Sequence, residues 1–161
     1  MLGTEEPIQR ALDLAYAWLN RRDRTISEVG SYLERKGIGA ELAEASIARL
    51  IDQGFLNDER FAQLFVADKR ELEEWGSERI RRGLLSRGIE RDLAEVALAP
   101  PPDEQAIEET ELDRAMALLR RRFPSPSSHR RERERAFGVL IRKGYDSELA
   151  LDALAAHGRG D

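Results

Sequence analysis

Two histidines, no cysteine and 31 acidic residues are the side chains from which this chain of 161 residues could build a catalytic or metal site. His129 stands in the charged run HRRERER and His157 lies near the C-terminal end, neither at a useful spacing from the other. Each reads as a solvated surface residue rather than a ligand or a base. Without cysteine there is no disulfide framework and no thiolate metal site. The sequence contains no P-loop, no glycine-rich dinucleotide turn and no H-E-x-x-H pair. Carboxylates spread over charged helices form ordinary surface pairs, and no acid–base couple stands out among them. The expectation is a protein that is not an enzyme, with no catalytic residue, cofactor or metal.

The arginines are the better candidates for function. From Arg114 to Lys143 there are ten basic residues against two acidic ones, Glu132 and Glu134. The basic set includes Arg120, Arg121, Arg122, Arg130, Arg131, Arg133, Arg135 and Lys143. It follows an acidic stretch that holds Asp103, Glu104, Glu108, Glu109, Glu111 and Asp113. An electropositive face of this kind can meet phosphates or an acidic protein groove. Equally, the two blocks can neutralise one another on a solvated helical surface. Arg79, Arg82 and Arg87, with Arg81, form a smaller basic set interleaved with Glu78, which fits a solvated helix face. The expected partner-binding residues are therefore Arg79, Arg82, Arg87, Arg120, Arg121, Arg122, Arg130, Arg131, Arg133, Arg135 and Lys143.

Composition narrows what can carry these side chains. Charged residues make up 35% and aromatic residues 6%, which favours long helices around a thin core over a sheet sandwich or a large enzyme fold. The net charge of −5 supplies no global basic field for nonspecific nucleic-acid binding. No apolar run approaches the roughly 20 residues needed to cross a bilayer, and the opening MLGTEEPIQR is acidic, unlike a signal peptide. A cytoplasmic protein without membrane contact is expected, and a monomer.

The chain is organised by a repeat. Leu33-Glu34-Arg35-Lys36-Gly37-Ile38 returns as Leu84-Leu85-Ser86-Arg87-Gly88-Ile89 and as Leu140-Ile141-Arg142-Lys143-Gly144-Tyr145. A Leu-Ala pair follows each copy at one offset (Leu42-Ala43, Leu93-Ala94, Leu149-Ala150), and an apolar residue follows five positions on (Ile47, Leu98, Leu154). A fixed period of this kind means stacked supersecondary units. Within each copy a basic residue suits the negative end of the helix dipole. The glycine takes the left-handed cap. The next apolar residue packs back on the helix, and an acidic residue (Glu41, Asp92, Glu148) sits in the first turn of the following one.

Helical spacing of Ile8, Ala11, Leu12, Ala15, Trp18 and Leu19 marks a first helix from Pro7, with residues 1–7 frayed. Thr25-Ile26-Ser27-Glu28 has capping-box spacing, with Ser27 as an alternative cap. Leu42, Ala43, Ser46, Ile47, Leu50 and Ile51 stripe a third helix that Gly54 stops. Asn57-Asp58-Glu59 opens a longer helix with Phe61, Leu64, Phe65, Leu72 and Trp75 roughly along one face; Phe61 and Phe65 are expected in the core, as is Trp18, while Trp75 could serve as a contact. Gly76-Ser77 breaks the chain, and Pro100-Pro101-Pro102 ends the sixth helix. The expected fold is all-α, about nine helices in three tandem three-helix (helix-turn-helix-like) repeats. The boundaries are 8–56, 57–99 and 104–157, with a proline linker at 100–103 that serves as a hinge.

Taken in order, these segments resemble the RecX family, the bacterial regulators of the RecA recombinase. The matching residues are Arg24-Thr25-Ile26-Ser27-Glu28 with Leu33-Glu34-Arg35-Lys36-Gly37, then Gly54-Phe55-Leu56-Asn57-Asp58-Glu59-Arg60-Phe61-Ala62. Arg79-Ile80 with Leu84-Leu85-Ser86-Arg87-Gly88-Ile89 follows, and Leu140…Lys143-Gly144-Tyr145 resembles the family's last repeat. The resemblance covers roughly Ala11 to Leu154. It implies an extended, curved arrangement of the repeats and binding along the groove of the RecA–DNA filament. It also implies inhibition of recombinase, ATPase and co-protease activity, which would modulate DNA repair and the SOS response, with at most weak contact to DNA. The third repeat departs from the family pattern in Pro124-Ser125-Pro126-Ser127-Ser128 and in its dense arginine runs. A helix-turn-helix-like DNA-binding module is the alternative. It is disfavoured because the last helices of the first two repeats, Glu41–Gln53 and Arg91–Leu98, carry little positive charge.

Overall fold

A capping residue, an apolar stripe and a glycine stop recur along the chain, and each set produces a helix. The computed structural model describes residues 5–100, 109–126 and 128–160. Among them are nine α-helices and no strand: α1 (Glu5–Leu19), α2 (Ile26–Arg35), α3 (Ala40–Asp52), α4 (Asp58–Glu71), α5 (Ser77–Ser86), α6 (Arg91–Leu98), α7 (Glu111–Arg122), α8 (Arg130–Lys143) and α9 (Ser147–Arg159). The first helix starts at Glu5, so residues 5–7, expected to fray, are helical. Pro101, Pro102 and the acidic residues Asp103, Glu104 and Glu108 lie outside the described residues, as do the expected linker and hinge apart from Pro100.

The recurring glycines end α2, α5 and α8 as the sequence predicts. Gly37, Gly88 and Gly144 have φ of 82°, 83° and 99°, a region that costs an L side chain about 1–2 kcal/mol. The amide after each glycine reaches back to the last turn: Ile38 to Leu33 O (3.0 Å), Ile89 to Leu84 O (3.1 Å) and Tyr145 to Leu140 O (3.0 Å). All three of these residues are buried. Thr25 forms the predicted capping box, its Oγ1 accepting from the Glu28 amide (3.1 Å) while its own amide donates to Glu28 Oε1 (3.0 Å). Thr110 and Asp113 make a second box on α7. Those bonds hold the Asp113 carboxyl below the ordinary aspartate range.

The chain divides into two compact units, Met1–Leu64 with Leu84–Ala94, and Phe65–Gly83 with Glu95–Asp161. In the first, α1, α2 and α3 close on Ala11, Leu12, Ala15, Val29, Leu33, Leu50 and Leu56. In the second, α7 and α8 pack on α9 around Ala115, Met116, Leu119, Leu140, Tyr145 and Ala150. These cores are thin and rich in alanine, which lets helices approach closely.

That thinness overturns part of the predicted stripe on α4. Ala62 and Val66 are its buried pair, one turn apart, whereas Leu64 is 48% and Leu72 76% exposed. Phe61 and Phe65 are half-buried rather than core. On α3 the buried positions are Ala43, Ser46 and Leu50, and Ile51 faces outward. Trp18 is half-buried, stacked on Tyr32 at 4.2 Å with the Arg24 guanidinium 4.0 Å above it.

Each compact unit contains one junction between successive repeats, and the two use equivalent positions. In the first, the Thr25 hydroxyl donates to Arg87 O (2.6 Å) and the Ile26 amide donates to Asp58 Oδ1 (2.9 Å). A Cβ on Gly88 would strike the Ser27 side chain. In the second, the Gly76 amide donates to Lys143 O (2.8 Å), the Ser77 amide to Glu111 Oε1 (2.7 Å) and the Glu78 amide to Gly144 O (3.1 Å). A Cβ on Gly144 would overlap Arg79, backbone included. Thr25, Ile26 and Ser27 thus correspond to Gly76, Ser77 and Glu78, and Arg87-Gly88 to Lys143-Gly144. Burial pushes the Asp58 carboxyl up, opposed by the bond from the Ile26 amide.

Candidate partner-binding surface

The predicted basic residues differ in exposure and in the bonds that they make within the chain. Arg79 is half-buried, with its guanidinium 4.1 Å from the Trp75 ring and bonded to Arg142 O (3.1 Å). Lys143 Nζ donates to Glu73 O (2.8 Å). The two are thereby brought to the same junction and fasten it. Trp75 lies between cations, Lys69 at 4.6 Å and Arg79, with Phe65 edge-on at 6.3 Å, so its ring is already occupied. Arg87 is half-buried and its carbonyl accepts from Thr25. Arg121 pairs with Glu74 at 2.5 Å, and Arg130 with Glu134 at 3.0 Å. Arg81, outside the predicted set, pairs with Glu95.

Arg82, Arg120, Arg122, Arg131, Arg133 and Arg135 are exposed. Helix electrostatics sorts this exposed group. Arg120 and Arg122 lie in the last turn of α7, where cations complement the dipole, and so have a structural reason to be there. Arg130 and Arg131 lie in the first turn of α8, where the dipole is positive and a cation costs about 0.3–1 kcal/mol. Here, unlike at α2 and α7, no side chain caps the helix: His129 makes no capping bond. Arg131 and Arg135 are one turn apart, on one face. The start of α8 therefore gathers Arg130, Arg131 and Arg133 around a single first-turn acid, Glu132, at the helix end where the dipole disfavours cations. By contrast, α4 and α7 open on Asp58-Glu59 and Glu111 with Asp113.

A cavity of about 540 Å³ in the second compact unit is lined by Arg70, Glu74, Arg114, Arg121 and Tyr145 among others. Its charges are largely answered within the chain: Arg121 by Glu74, Arg114 by Glu109 O (2.7 Å) and Arg70 by Leu98 O (3.0 Å). Burial pushes the Tyr145 phenol up to about 12.

His157 departs from expectation. It is 8% exposed, and its Nε2, which must carry the proton, donates to Phe123 O at 2.7 Å. It closes the end of α7, whose last carbonyls need a donor. The spacing of 34 residues between the two left no local signal. His129 is exposed at the N-cap of α8, as expected. Among the described residues no group of three or more His, Asp or Glu could hold a metal. No described helix is long and apolar enough to cross a membrane.

Helices, junctions and caps together define a tandem-repeat protein made of three-helix domains. Family models agree with that division: RecX, first three-helix domain, matches residues 11–50; the second matches 57–98 and the third 109–154. Regulatory protein RecX of Trichlorobacter lovleyi is 32% identical over 152 residues, covering 92% of this chain and 96% of that protein. The chain belongs to the RecX family. It spans only part of some relatives, 37% of the Regulatory protein RecX of Lactobacillus delbrueckii subsp. bulgaricus (37% identical over 100 residues, 62% of this chain) and 52% of that of Bacillus cytotoxicus (27% identical, 89% of this chain). In fold it is similar to the crystal structure of RecX from Lactobacillus salivarius, with TM-score 0.79 and 23% identity over 97% of this chain and 99% of that one.

Proposed function

We propose that this chain is a non-enzymatic regulator that binds the RecA–DNA filament and inhibits recombinase, ATPase and co-protease activity, in the cytoplasm and as a monomer. The observation that carries the reading is membership of a family whose relatives are named regulatory proteins. The resemblance to that family implies the filament as the partner. A repeat protein offers many modest contacts along a groove, and bridging neighbouring protomers restricts the motion that ATP turnover requires. The opening of α8, with Arg130, Arg131, Arg133 and Arg135, supplies the strongest of these contacts, and Arg82, Arg120 and Arg122 add to it. Arg79 and Lys143 act within the protein, by holding a junction.

The DNA-binding alternative needs a basic last helix in each repeat. The third such helix, α9, opens on Glu148 and carries Asp152, with Arg159 only at its end. Positive charge gathers instead on second helices, α5 and α8.

The test is RecA ATPase on single-stranded DNA against rising concentrations of the chain, with binding to naked DNA measured in the same salt. Strong inhibition with weak DNA binding is expected, and the triple variant Arg131→Glu, Arg133→Glu, Arg135→Glu should lose it while its melting temperature stays level or rises. No inhibition by the wild-type chain at molar excess defeats the reading.

A further inference from the structure

The two internal junctions have an acceptor side and a donor side. The acceptor is the turn that closes the second helix of one repeat, Arg87-Gly88 or Lys143-Gly144. The donor is the turn that opens the second helix of the repeat before it. The first repeat carries the same acceptor turn, with the same left-handed glycine at φ 82° and the same buried apolar residue, Ile38, behind it. Here, however, the turn is open. A Cβ on Gly37 would meet nothing within 4 Å, whereas one on Gly88 or Gly144 would collide with the docked turn. Lys36 and Gly37 are exposed, and their carbonyls accept no inter-repeat hydrogen bond among the described residues, whereas Arg87 O accepts from the Thr25 hydroxyl and Lys143 O and Gly144 O accept from the Gly76 and Glu78 amides.

We infer that the Lys36-Gly37 turn is a docking site for the opening turn of a helix in the protein partner, held as Thr25–Ser27 and Gly76–Glu78 are held inside this chain. The chemistry selects the occupant. Two exposed carbonyls are available to donors, and a helix start has up to four amide groups without an intrahelical acceptor. Gly37 leaves room for close main-chain approach, which favours a small or hydroxyl-bearing cap residue such as the threonine and glycine used internally. Arg35 and Lys36, both exposed, favour an acidic first turn. The equivalent opening in a second copy, the start of the third repeat's second helix α8, fits poorly, because its Arg130, Arg131 and Arg133 would meet Arg35 and Lys36.

The inference rests on the filament reading, so wild-type inhibition of RecA ATPase is measured first; without it both fall. Gly37→Asn is then compared with the wild type, because asparagine tolerates the left-handed conformation but fills the open space. An unchanged fold by circular dichroism and at least tenfold weaker inhibition are expected. Equal inhibition overturns the docking site and leaves the proposed function standing. A second measurement covers loss of folding in that variant. The chain has no cysteine, so Lys36→Cys can carry a single benzophenone label. Photocrosslinking to a helix-opening segment of RecA supports the inference; crosslinks to another copy of the chain alone, or none, overturn it.

Discussion

The two repeat junctions bring equivalent main-chain atoms together and hold them by different means. At the first, a side chain does the reaching: the Thr25 hydroxyl spans the gap to Arg87 O while accepting from the Glu28 amide. At the second, the equivalent residue is Gly76, and its backbone amide makes the bond to Lys143 O. The removal of a side chain lets the strands of main chain close up, so that a Cβ on Gly76 would lie 2.5 Å from Gly144 O. The second junction also gathers more side-chain ties, from Arg79, Lys143 and Arg121. The lesson is that one docking geometry can be reached either by a polar side chain with both donor and acceptor capacity or by none at all. An apolar residue serves neither way.

The two junctions differ most at their glycines. Gly144→Ala combines left-handed strain with overlap on the Arg79 backbone, and should cost about 3 kcal/mol, lowering the thermal midpoint by about 10 °C. Gly88→Ala meets only the Ser27 side chain, so Ser27→Gly should restore the steric part, leaving about 1 kcal/mol. A double variant no more stable than Gly88→Ala would show that the two junctions are equally tight.

A smaller effect separates the donor positions. Thr25→Val keeps the shape but removes the cap and the inter-repeat bond, and should cost about 2 kcal/mol in urea unfolding. Thr25→Ser should cost well under half of that. A Thr25→Val variant as stable as the wild type would mean that side-chain reach is dispensable at the first junction.

Alkali tests the second junction alone. Tyr145, buried behind Gly144, titrates near 12 in the folded chain against about 10 when unfolded. The folded value is the raised one, so its contribution is fully present below pH 10 and declines as pH rises from about 10 toward 12. Tyr145→Phe should flatten that decline, by about 2 kcal/mol at its upper end. Identical alkaline unfolding curves would remove Tyr145 as the cause. The smallest effect is expected at Gly37→Ala, about 1 kcal/mol, since strain acts there without collision.

What was legible in the sequence was local. The capping box at Thr25, the glycine stops at Gly37, Gly88 and Gly144, and the acidic helix openings depend on residues within one turn of each other, and each is found where the spacing puts it. The second task of Gly88 and Gly144, admitting a neighbouring turn, depends on contacts some 60 residues away and left no trace in the motif. The Asp58 and Glu111 carboxylates that receive amide groups across a junction read in sequence as ordinary helix-start acids. His157 is buried for the same reason, because its acceptor is a distant carbonyl. On and just after α4 the difference is one of size: Leu64 and Leu72 are larger than Ala62 and Val66, but a thin core has room for the smaller pair. Among the basic residues, the charge count does not show that Arg79 and Lys143 are spent on internal bonds while Arg131, Arg133 and Arg135 are exposed.

Main-chain bonding between repeats has a consequence for divergence. At the second junction the bonds from Gly76 and Glu78 run between amide and carbonyl groups, which every substitution short of proline leaves in place. Register between repeats can therefore survive extensive drift in the surrounding side chains, provided that the few positions needing no side chain stay empty. A fold with 23% identity to its crystallographic counterpart and a TM-score of 0.79 is what such inheritance would leave behind.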